Sequence, residues 1–120
     1  MIIAPLAAIA LVLGIATGPV TAPTALPPMS MQQRSAAVQP SVRSATECIA
    51  RTVTADPGFG QRALGDLIAD SMRACLAEVR AMIETYDRYF GEGSGESFFM
   101  GPYLDVLPSA VGKWRRQSVE

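Results

Sequence analysis

Two cysteines, Cys48 and Cys75, are the most reactive side chains in this sequence, and the chemistry open to them is narrow. There is no histidine, so a zinc site would need carboxylates or a second chain to complete it. The commonest general base is missing for the same reason. Any nucleophile would have to be activated by a free thiol, a carboxylate or Lys113, the only lysine. Two carboxylate pairs, Asp66 with Asp70 and Glu84 with Asp87, share helix faces at spacings that acid–base work or cation binding can use. On an exposed face such pairs ordinarily serve solubility. No catalytic residue, metal ligand or cofactor is therefore expected. A pocket in which two carboxylates met Tyr86, Tyr89 or Tyr103 would reverse that expectation.

Two further stretches carry charge or backbone suited to a ligand. Gly91-Glu92-Gly93-Ser94-Gly95-Glu96 has the glycines of a phosphate loop. No strand precedes it, the P-loop Lys and Ser/Thr are missing, and two glutamates repel phosphate, so a plain flexible loop is expected. Lys113-Trp114-Arg115-Arg116 surrounds an indole with three cations, a combination that can stack on a base, sit at a membrane interface or meet an acidic partner. Three cations are few for nucleic-acid affinity. The plain alternative is a solvated helix end with Trp114 anchored on the core.

These side chains must be positioned by helices. From Asp66 to Phe90 the apolar residues Ile68, Met72, Cys75, Val79, Met82, Tyr86 and Tyr89 recur every three or four positions, which places them on one side of a single amphipathic helix. Leu76, Ile83 and Phe90 are expected to widen that stripe. Arg73, Arg80, Glu84, Asp87 and Arg88 fall mostly on the wet side, where Arg80 to Glu84 and Glu84 to Arg88 can pair at i,i+4. Asp66 suits the helix start. Upstream, Ser44-Ala45-Thr46-Glu47 has the form of a capping box, and the helix it opens carries Ala45, Cys48, Ile49 and Val53 until Asp56-Pro57-Gly58 stops it.

Folding these two helices against each other brings the cysteines level. Cys48 precedes Asp56 by eight residues and Cys75 follows Asp66 by nine, and both lie on the apolar stripes. A disulfide closing this loop would contribute about 3.6 kcal/mol in the chain-entropy model. That is a large share of what so small a core supplies. Two buried thiols are the alternative. Ser97 to Leu107, with Phe98, Phe99, Met100, Tyr103, Leu104, Val106 and Leu107, is the most apolar stretch after the N-terminal one. It is expected to pack across the hairpin, with a short helix starting at Pro102. The fold class is all-α: a disulfide-linked antiparallel helical hairpin with a C-terminal apolar segment packed across it.

The N-terminal part has a different character. Ile2 to Ala16 is an unbroken apolar or small run, and no charged side chain appears before Arg34. It is shorter than the roughly 20 residues of a spanning helix, and Pro19, Pro23, Pro27 and Pro28 oppose its continuation. We read residues 1–25 as a signal peptide, with an uncleaved anchor as the alternative. Residues 26–43, rich in Pro, Ala, Ser and Gln, read as a disordered linker. Residues 44–117 form the small helical domain.

With ten basic and eleven acidic residues the formal net charge is −1, which gives no global attraction to nucleic acid. The functional expectation is a small exported helical protein with a non-enzymatic binding or structural role in a bacterial periplasm or envelope, or secreted beyond it. The alternative is an envelope protein anchored in the inner membrane by its N-terminal segment, which contacts lipid or an acidic partner through the basic tip. A protein partner is possible on either reading. Membrane contact is expected only through the N-terminal segment or weakly through the tip.

Overall fold

The computed structural model describes residues 28–118. The expected signal segment lies outside the described residues. The chain is all-α, in the order α1 (Met31–Ala55), α2 (Leu64–Ala74), α3 (Leu76–Phe90), α4 (Ser94–Phe98), a π turn (Phe99–Tyr103) and α5 (Leu104–Ser118).

Helix α1 begins about four turns before the expected capping box. Ser30 is the N-cap: its Oγ accepts the Gln33 N–H at 3.1 Å while Gln33 Oε1 accepts the Ser30 N–H at 2.7 Å. This is the same reciprocal device that Ser44 and Glu47 offer, placed earlier in the chain. The residues from 31 to 43, expected to be linker, are thus helical. They extend a stripe of Val38, Val42, Ala45, Ile49 and Val53, in which Val42 is half-buried and the rest are buried. Pro40 lies inside the helix although it lacks a backbone donor. Packing of the stripe compensates for a composition that, by itself, favours disorder.

After α1 the chain turns on Asp56, whose Oδ1 accepts the Gly58 N–H at 2.7 Å, and on Gly60 at φ 88°. The expected single helix from Asp66 is two helices. Its start is Ala63 rather than Asp66, which sits in the first turn and faces the positive end of the dipole. The break falls at Cys75 (φ −109°, ψ 20°), the residue tied to α1. One turn before it, the buried Ser71 hydroxyl donates to the Ile68 carbonyl at 2.6 Å, a side-chain bond that competes with regular helix geometry. The break also changes which residues face inward. Leu76 is 48% exposed instead of widening the stripe, and Leu67 is buried.

The hairpin and its covalent link are as expected. Cys48 and Cys75 are disulfide-bonded with Cα atoms 5.9 Å apart. Cys75, Val79 and Met82 are buried between α1 and the C-terminal segment, whose Tyr103, Leu107 and Val111 complete the core.

The glycine-rich stretch is a tight reversal, not a flexible loop. Gly91 and Gly93 take φ of 108° and 90°, values that favour glycine. Asp87 Oδ1 then accepts the Gly95 N–H at 2.7 Å, so a carboxylate near the end of α3 satisfies a donor at the start of α4. Gly95 is buried, and a Cβ there would run into the Ile83 backbone carbonyl. Pro102 does not start a helix but lies inside helical structure, within the π turn. A proline ring clashes with the carbonyl four residues back, and one wider turn relieves the clash.

Candidate functional site

Among the described residues, one member of each carboxylate pair, Asp70 and Asp87, is engaged in structure. Asp70 accepts from Arg62 Nη2 at 2.8 Å, an exposed ion pair that links the turn to α2. Asp87 caps α4. The expected Arg80–Glu84 and Glu84–Arg88 pairs do not close to ion-pair distance. No group of three or more His, Cys, Asp or Glu side chains is disposed to hold a metal among the described residues.

Two of the tyrosines, Tyr86 and Tyr103, are likewise committed to packing, whereas Tyr89 is in neither a ring pair nor the core cluster among the described residues. Tyr86 stacks between Phe90 and Phe98, with ring centroids 4.8 and 4.2 Å away, and Phe98 continues to Tyr103 at 5.5 Å. Tyr103 is buried, and its hydroxyl lies 2.8 Å from Thr46 Oγ1. The Thr46 proton goes to the Val42 carbonyl at 2.7 Å, so Tyr103 is the donor and Thr46 the acceptor between them. Burial raises the Tyr103 pKa above its ordinary value of 10.0.

The basic tip is divided among three surroundings. Arg115 lies over the Phe59 ring, 5.3 Å from its centroid, on the turn after α1. That contact is a cation–π pair. The Arg116 guanidinium lies beside Gly112, with Nη1 3.7 Å from where a Cβ would stand. Lys113 and Trp114 instead face α1 across an open trough of about 370 Å³. Helix α5 contributes Ala110, Lys113, Trp114 and Gln117 to its wall. Helix α1 contributes Gln39, Val42, Arg43, Thr46 and Glu47. Trp114 also packs against the core. Arg43, Glu47 and Lys113 are in no ion pair among the described residues.

Three of the α1 residues of this trough, Gln39, Val42 and Arg43, fall within residues 26–43, which read as linker. The signal that marks them is the continuation of the Ala45–Ile49–Val53 stripe back to Val42 and Val38, with Gln39 and Arg43 alongside. Another open groove, of about 390 Å³, lies between Pro40, Ser41 and Ser44 of α1 and Ala77, Glu78 and Ala81 of α3. Its lining is small side chains with a single carboxylate, so it offers little to recognise a ligand. Among the described residues no helix is long and apolar enough to cross a membrane.

Compared with protein families, with curated proteins and with solved structures, the chain matches none.

Proposed function

We propose that this is an exported, disulfide-stapled helical module that acts without catalysis, by binding or as a structural component, in the periplasm or cell envelope. The observation that carries the reading is the Cys48–Cys75 bridge across the hairpin. Disulfides of this kind persist in oxidising compartments and are rare in reducing ones. The apolar run Ile2–Ala16 agrees with such a destination. The structural use of Asp70, Asp87, Tyr86 and Tyr103 supports the non-catalytic part.

Within this reading, the division of the basic tip favours an acidic partner over a lipid surface. A flat bilayer is held by cations presented together, whereas here Arg115 covers Phe59 and Lys113 faces a concave trough. Fractionation of the producing cell, with the size of the recovered chain measured, tests the proposal. Osmotic release of a shortened chain is expected. Retention in the membrane at full length would support the anchored alternative, and recovery from the cytosol with two free thiols would contradict both.

A further inference from the structure

The trough between α1 and α5 has a composition that selects among ligands. The apolar part of its lining comes from Val42, Ala110 and Trp114. Arg43 and Lys113 stand on opposite helices, with Glu47 one turn along from Arg43, and among the described residues none of these charges is in an ion pair. Gln39 and Gln117 add two amide side chains, each able to donate and to accept.

We propose that this trough docks an acidic, apolar-flanked peptide segment of a partner protein. Carboxylates of the segment meet Arg43 and Lys113, an apolar side chain rests on Trp114 and Val42, and the segment's backbone pairs with the glutamine amides. Glu47 accepts a backbone N–H and disfavours a continuous acidic run, so the segment's carboxylates are spaced by apolar residues.

Three features favour a peptide over other occupants. The α1 lining from Gln39 to Glu47 extends about 12 Å at 1.5 Å per residue, the length of about four extended residues. The trough is open to solvent, whereas a small apolar molecule is ordinarily held by a pocket that buries most of its surface. The glutamines and Glu47 match the alternating donors and acceptors of a peptide backbone and have no counterpart in an acyl chain. The inference deepens the binding reading above and rests on it. Because export and disulfide formation are measured separately, the trough can fail its test while that reading stands.

Trp114 is the only tryptophan, so its emission reports on the trough directly. The purified exported chain, disulfide intact, is titrated at low salt with acetyl-Glu-Leu-Glu-Leu-amide and with its neutral counterpart acetyl-Gln-Leu-Gln-Leu-amide. The acidic peptide should produce a saturable change with a Kd on the order of 1 mM, as expected for so short a ligand. The neutral peptide should bind at least about tenfold more weakly. The double variant Arg43→Gln/Lys113→Gln should lose the same factor for the acidic peptide. Both positions are exposed and unpaired, so its melting temperature should be unchanged. Equal binding of the two peptides, undiminished binding by the double variant, or no saturable change up to about 10 mM each overturns the proposal. So does a Trp114 blue shift with phosphatidylglycerol vesicles but none with the acidic peptide, which would assign the cations to lipid.

Discussion

Helix α1 is flanked by two neighbours and is joined to them differently. Against the hairpin's second arm the contact is covalent: Cys48 is bonded to Cys75 at the break between α2 and α3, and the Thr52 hydroxyl, which donates to the Cys48 carbonyl, lies 3.6 Å from the Cys75 sulfur. Against the C-terminal segment the contact is non-covalent: Leu107 and Val111 are buried in the shared core, Tyr103 donates a hydrogen bond to Thr46, and beyond it the helices leave an open trough whose Arg43, Glu47 and Lys113 are in no ion pair among the described residues. The first contact removes conformational freedom from the unfolded chain and fixes the register of the hairpin. The second leaves polar groups in water, where they are free to meet something else. The difference separates the covalently fixed side of α1 from the side that, next to a shared core, also presents a surface.

The largest expected effect is on the stabilising side. Val79 is 5% exposed, and Val79→Asp would place an unpaired carboxylate in the core at a cost of several kcal/mol. That is enough to unfold a domain this small, so circular dichroism should show loss of the cooperative transition. An unchanged melting temperature would show that the α3 face is not buried as described.

Removing the staple should come next. Cys48→Ala/Cys75→Ala should cost about 3.6 kcal/mol by loop entropy. The melting temperature should fall by roughly 15 to 30 °C, at 4–8 °C per kcal/mol for a domain of this size. Strong reductant should lower the wild type comparably and leave the variant unaffected.

Gly95→Ala should follow, because its Cβ meets the Ile83 carbonyl, a group that cannot rotate away. A loss of about 1–3 kcal/mol is expected from the forced shift of α4. A neutral effect in thermal unfolding would mean that the reversal after α3 has more room than described.

The smallest effect belongs to the polar contact. Tyr103→Phe removes one hydrogen-bond donor and should cost about 1 kcal/mol near neutral pH. The tyrosine's folded pKa is raised, so its contribution is fully present below the unfolded value near 10 and is lost as pH rises through the folded one. The stability gap between wild type and Tyr103→Phe should therefore narrow in alkaline solution. A gap that widens above pH 10 would contradict the buried donor.

The sequence made one side of this comparison legible and hid much of the other. The spacing from Ile68 to Tyr89 marks the inward face shared by α2 and α3, and the matched offsets of Cys48 and Cys75 from the intervening turn mark the bridge. Both rest on regular periodicity and chain geometry. The start of α1 was hidden because two similar capping boxes lie in the chain and Pro40 stands between them, so local chemistry favoured the later one. The break at Cys75 interrupts an unbroken periodic pattern, and only tertiary structure produces it. Leu76 followed that pattern and was misplaced by it. The π turn was obscured because Pro102 after glycine is also a normal helix start. Lys113 and Trp114 stood out by type, but the α1 residues facing them did not, since which helix lies opposite is a long-range fact.

The central claim is that the hairpin is covalently closed in the protein as the cell makes it. Peptide mapping by mass spectrometry, on the exported chain alkylated before lysis and digested without reductant, tests this most directly. A peptide pair linked through Cys48 and Cys75, with neither cysteine alkylated, is the result predicted. Two alkylated cysteines in that material would contradict it.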